Sequence, residues 1–311
     1  ILLNFFLTPS FHVITSDIPV RPANFSLTKE YEGNFFNGML SGKNIISYDE
    51  KGFRVNQKID YKKKLKKNIR IITIGASTTE EFEKGNNKTW PHLLGVKIKK
   101  KINKNIEIIN TGLSGLRLEH HYLTFNRIKK YEPDFVIFMF GINDWNHHIL
   151  NSDINYLFPS YEIKYNFKKS ILFNTFGNII KQISKKIINE KKLQANENIN
   201  SHNFEYLFEG SNSLNTRKIF KKFRPINVSQ DYIYWLNLLV EECKSQKPTC
   251  IFLDQPTAYK KNISNELKSR LWMTPPFEEY TLSLEDLIYL SEMYNSWLKQ
   301  KVTINKLNFV T

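Results

Sequence analysis

Between residues 70 and 140 the hydrophobic positions gather into short solid runs separated by longer stretches of looser spacing. Arg70-Ile71-Ile72-Thr73-Ile74 is β-branched and stops at Gly75, and Ile106-Glu107-Ile108-Ile109 stops at Asn110-Thr111-Gly112. Phe135-Val136-Ile137-Phe138-Met139-Phe140 is apolar throughout and stops at Gly141. Short apolar runs bounded by turn residues suit strands buried on both faces, as in a parallel sheet. Helical spacing lies between them. Trp90 to about Ile102 carries Leu93, Leu94, Val96 and Ile98, and Leu116 to Tyr131 carries Tyr122, Phe125 and Ile128 before Pro133. The rhythm returns with a helix over Gln230–Cys243, a strand over Thr249–Leu253, a helix over about Leu284–Gln300 and a fifth strand within Ile304–Val310. Strands alternating with helices predict an α/β fold, a three-layer α/β/α sandwich around a mostly parallel, flavodoxin-like sheet.

Two stretches break the pattern. Residues 1–69 read as an irregular N-terminal extension ending in a Lys-rich link. Its first residues, Ile1 to Leu7, are apolar apart from Asn4 and too few to span a bilayer. They read equally as the stub of a signal or membrane-anchor helix or as a strand packed on the domain. Residues of about 150–228, with an amphipathic segment near Ile171–Ile188 and an Asn-rich stretch from Gln194 to Ser213, read as an insertion on the catalytic face of a domain spanning 70–311.

Composition changes this picture little. The 311 residues are 41% hydrophobic and rich in Phe and Tyr, which argues against a disordered chain. The net charge of +15 is mostly Lys scattered among Asn and Ile, with no nucleic-acid-binding signature, so no nucleic-acid partner is expected. Attraction to an acidic polymer or an anionic membrane stays open. The two cysteines, Cys243 and Cys250, have no metal-binding spacing and are read as unpaired buried thiols, with a disulfide left open.

In open α/β sheets, ligands bind beyond the carboxyl ends of the strands. Three turns therefore matter: Gly75-Ala76-Ser77-Thr78-Thr79, Asn110-Thr111-Gly112 and Gly141-Ile142-Asn143-Asp144. Ser77 opens a helix, where backbone N–H groups favour developing negative charge. Gly112 can bring its N–H close to a ligand, and Asn143 can donate from its amide. Singly each is an ordinary cap or turn. Together, after three consecutive strands, they supply what acyl transfer needs: a nucleophile and a hole for the oxyanion. Asp144 fits a structural acceptor for turn N–H groups. Thr78, Trp145 and His147, next to these turns, are the candidates for substrate contact. No metal or cofactor is expected.

At this level the chain resembles the SGNH (GDSL-like) hydrolases from about Ile71 onward. The three turns are similar to that family's first three blocks, which supply the Ser, Gly and Asn that match Ser77, Gly112 and Asn143. Asp49-Glu50-Lys51-Gly52-Phe53-Arg54 resembles a Gly-Phe-Arg lead-in of bacterial members with N-terminal extensions. Gly75-Ala76-Ser77 stands where the family has Gly-Asp-Ser. The family's Asp-x-x-His block has no counterpart: all seven His precede the expected site, and the chain reads as truncated before that block. The resemblance implies a serine ester hydrolase acting on acyl or O-acetyl esters, including those of a glycan. The alternatives are an O-acyltransferase modifying cell-envelope polysaccharide and a non-catalytic carbohydrate-binding module. An envelope setting would make the protein membrane-anchored or extracytoplasmic.

Overall fold

In the computed structural model, which describes residues 13–15, 18–31, 42–151, 219–245, 247–269, 271, 274–275, 278 and 280–311, the solid apolar runs pair into one sheet. The strands are β1 (Val13–Thr15), β2 (Ile18–Val20), β3 (Ser26–Tyr31), β4 (Gly42–Ser47), β5 (Ile69–Gly75), β6 (Ile106–Asn110), β7 (Phe135–Met139), β8 (Ile219–Lys221), β9 (Thr249–Leu253), β10 (Tyr280–Leu282) and β11 (Asn308–Val310). The α-helices are α1 (Ser77–Glu80), α2 (Trp90–Ile102), α3 (Leu118–Ile128), α4 (Ile142–Leu150), α5 (Gln230–Cys243), α6 (Asn265–Ser269) and α7 (Leu284–Ile304).

The central sheet has the order β11-β9-β7-β5-β6, and every neighbouring pair is parallel. Side chains alternate across it, as the period of two requires. Ile72, Ile74, Ile109, Val136, Phe138 and Phe252 face a core shared with α3, α5 and α7. Ile71, Ile108, Phe135, Ile137 and Ile251 face the other way, against Trp90, Leu94 and Ile98 of α2. Helices on both faces make this the expected three-layer α/β fold, the one the resemblance to SGNH hydrolases implies. From β5 the chain moves to β6 on one side and then crosses to β7 on the other. The carboxyl end of β5 is therefore the topological switch point, where such sheets open a crevice for ligands.

Three features differ from the sequence reading. First, the described residues from Val20 to Asn68 include core positions, where an irregular extension was expected. β3 and β4 pair antiparallel, and Val20, Phe53, Ile59 and Tyr61 join the main core. Second, two three-residue strands, β8 and β10, pair in parallel as a separate sheet, too short to show a period in sequence. Third, Cys243 at the end of α5 and Cys250 in β9 form a disulfide, with Cα atoms 5.7 Å apart, rather than two free thiols. Most of the insertion read at about 150–228 and the apolar Ile1–Leu7 lie outside the described residues. Among the described residues no helix is long and apolar enough to cross a membrane.

Candidate active site

Ser77 is the first residue of α1, and its side chain is exposed. The N-cap is Ala76, whose side chain caps nothing. Ser77 is thus not serving as the helix cap, the ordinary role of a serine at a helix start. The Ala76 carbonyl accepts from Thr79 N–H (3.0 Å) and Glu80 N–H (2.8 Å), while the N–H groups of Ser77 and Thr78 have no acceptor among the described residues.

A cleft of about 490 Å³ opens at this point. Ser77, Thr78, Ser114, Asn143, Asn146 and Gln255 line its polar side, and Ile142, Pro256, Ala258, Tyr259 and Leu271 line the apolar remainder. Asp, Glu, Lys, Arg and His are all absent from this lining among the described residues. The Thr78 hydroxyl and the Gln255 amide approach to 3.5 Å across it.

The structure brings Ser77, Thr78 and Asn143 to this cleft and leaves Gly112, Trp145 and His147 outside it. Gly112 is buried, and its N–H is already used, donating to Asn110 Oδ1 at 2.9 Å. A Cβ at Gly112 would lie 2.7 Å from the Thr79 carbonyl carbon, so the glycine is there to let this loop abut α1. Trp145 lies two residues beyond Asn143, roughly 200° around the helix. It therefore points into the core, 1% exposed, edge-on to Tyr294. His147 lies one turn beyond Asn143, about 6 Å further along the axis. Its ring contacts Asn151 and stands 3.9 Å from Asp231 of α5.

The position that sequence reasoning missed is Gly115, three residues further along the same loop. It is exposed and lines the cleft. Its φ of +83° is one that L side chains rarely adopt, although a Cβ would meet nothing within 4 Å. The backbone path, not crowding, demands glycine there. Its N–H has no acceptor among the described residues. The signal was available as the second glycine of Gly112-Leu113-Ser114-Gly115, but nothing local distinguished the two.

Side chains tie the three turns to one another. Asn110 Nδ2 donates to the Thr79 carbonyl at 2.7 Å, joining the β6 loop to α1. Asn143 Nδ2 donates to the Leu116 carbonyl at 2.8 Å, and Asp144 Oδ1 accepts from Leu118 N–H at 2.9 Å, joining α4 to the start of α3. Asp144 is thus a structural acceptor. Burial pushes its pKa up to about 7, against the smaller opposing effect of the Leu118 N–H.

The described histidines are engaged elsewhere. His121 is buried and stacked on Phe140, and burial lowers its pKa to about 3. His148 lies 3.0 Å from the Tyr294 hydroxyl, and burial lowers its pKa to about 4. His120 Nδ1 accepts from Arg117 N–H at 3.3 Å, and His92 is half-buried on α2. Among the described residues, no three His, Cys, Asp or Glu side chains group to hold a metal ion.

Residues 71–212 match the family model of the GDSL-like lipase/acylhydrolases. No curated protein matches the chain in sequence. Among solved structures, LAE5, an α/β hydrolase from the metagenome of Lake Arreo, Spain, aligns at 13% identity and a TM-score of 0.39, over 78% of this chain and 76% of that one. Axe2, an acetylxylan esterase from Geobacillus stearothermophilus, aligns at 15% identity and 0.37, over 79% and 78%. EstA, a psychrotrophic esterase from Pseudoalteromonas sp., aligns at 13% identity and 0.36, over 78% and 75%. At these scores the likeness carries no substrate over to this chain. The family match over 71–212 takes in β5 from Ile71, β6, β7 and the three turns that follow them, so this stretch of the chain is similar to a GDSL-like lipase/acylhydrolase (SGNH) domain.

Proposed function

We propose that the protein is a serine ester hydrolase, with Ser77 as its nucleophile and small, uncharged acyl esters as its substrates. The observation that carries this reading is Ser77 itself, exposed and uncapped at the head of α1, facing the same cleft as Asn143 and Gly115. The Ser77 oxygen attacks the ester carbonyl, and its proton passes to the water that reaches this exposed side chain. The carbonyl oxygen takes up negative charge beside the N–H groups of Ser77 and Gly115 and the Asn143 amide. Collapse expels the alkoxide, which takes a proton from the same water to leave as the alcohol, and the acyl-Ser77 that remains is cleaved by a second water to the free acid and Ser77. Gly115 takes the donor role expected of Gly112, because the Gly112 N–H is bound to Asn110.

The lining supports the substrate class. A carboxylate or ammonium in this cleft would find no opposite charge among the described residues and would lose water without compensation. A short acyl chain fits the apolar wall of Ile142, Pro256, Ala258 and Leu271. The test is hydrolysis of p-nitrophenyl acetate and butyrate by the protein and by Ser77→Ala. Turnover that disappears in Ser77→Ala supports the reading, and equal turnover by both proteins contradicts it.

A further inference from the structure

Glu80 ends the short helix that Ser77 begins, and its side chain is fully buried. A lone buried carboxylate is costly, and it persists only when paired and hydrogen-bonded. Here four donors surround it. Arg21 Nε (2.7 Å) and the Tyr48 hydroxyl (2.8 Å) bond Oε1, while the backbone N–H (2.8 Å) and the hydroxyl (2.6 Å) of Ser114 bond Oε2. Burial opposes the charged form, but Arg21, Ser114 and Tyr48 outweigh it and hold the pKa below the ordinary carboxylate value. One carboxylate therefore joins three pieces of chain: the nucleophile helix, the loop whose next residue is Gly115, and the segment before Ile69.

A second arm comes from the same segment. Arg54, 3% exposed, donates to the carbonyls of Glu80, Glu81 and Lys84 and to Asn86 Oδ1. It thereby fastens the carboxyl end of α1, where Glu81 turns to a φ of 49°. Its backbone also pairs with Asn110, at 3.0 Å in each direction, so the segment grips both loops at once.

We propose that Glu80 is a positioning residue: neutralised by Arg21, it sets the Ser114–Gly115 loop at its distance from Ser77, which makes the segment before Ile69 part of the catalytic apparatus. This rests on the reading of Ser77 as the nucleophile. The physical reason is that an oxyanion donor must sit about 3 Å from the reacting oxygen. A displacement near 1 Å costs on the order of 10²-fold in rate. Glutamine cannot replace Glu80, because its amide NH₂ would face a donor on one side or the other.

The experiment compares wild type, Glu80→Gln, Tyr48→Phe and Ser114→Ala on p-nitrophenyl acetate, with the melting temperature and the exchange rate of the Ser114 amide measured alongside. In a folded Glu80→Gln variant, kcat is expected to fall on the order of 10²-fold while KM stays within about threefold. The Ser114 amide should exchange faster. Tyr48→Phe and Ser114→Ala each remove one donor to a charged group and should lower kcat by about tenfold. If wild type is active and folded Glu80→Gln keeps its kcat, the proposal is overturned while the esterase reading stands. If Glu80→Gln fails to fold, unchanged kcat in both milder variants overturns it. A wild type that hydrolyses no p-nitrophenyl ester brings down the esterase reading, and this proposal with it.

Discussion

Asn143 uses one of its two amide hydrogens on the Leu116 carbonyl at 2.8 Å, which fixes the side chain and leaves the other for a ligand. An anchored donor is worth more to a developing oxyanion than a mobile one, because it need not reorganise during reaction. Asn143→Ala is therefore expected to lower kcat for p-nitrophenyl acetate on the order of 10²-fold, with a smaller change in KM. A rise in KM with kcat unchanged would assign it to general substrate binding instead. Gly112 shows the limit of reading a residue by type. Glycine permits close approach to a ligand, and it equally permits close approach of one backbone to another, which is what happens against Thr79 and Glu80. The two uses look the same in sequence and differ only in where the loop turns.

At the scale of elements, the sheet was legible because its strands are buried on both faces and therefore solidly apolar. β5, β6, β7 and β9 begin or end within a residue or two of the expected bounds, as do α2 and α5. The chain before Ile69 was not legible for the opposite reason. Much of its attachment is polar, through Arg21, Asn44, Tyr48 and Arg54, and a buried guanidinium leaves no hydrophobic period to detect. The join between α4 and α3 has a consequence for pH. Asp144 keeps its proton in the folded protein up to about pH 7, whereas in the unfolded chain it loses it near its ordinary value of 3.8. Between those values the folded state holds more protons than the unfolded state, so this group's contribution to stability falls as pH rises. Asp144→Asn keeps an acceptor for the Leu118 N–H without the buried charge. Its melting temperature relative to wild type is expected to climb between pH 4 and pH 7, and a difference that stays flat over that range would contradict the assignment.

Across the whole molecule, the described residues converge on one place. The switch point between β6 and β7, the head of α1, the Gly115 loop, the start of α4 and the arms of Arg21 and Arg54 all meet at or just behind Ser77. On the proposed reading, this convergence makes one serine reactive among all those the chain carries. The direct measurement is reaction of the native protein with a fluorophosphonate ester, followed by intact mass and peptide mapping, with Ser77→Ala alongside. A single adduct on Ser77, absent from Ser77→Ala and from the heat-unfolded protein, is the predicted result. An unlabelled native protein, or an adduct on any other residue, would contradict the account.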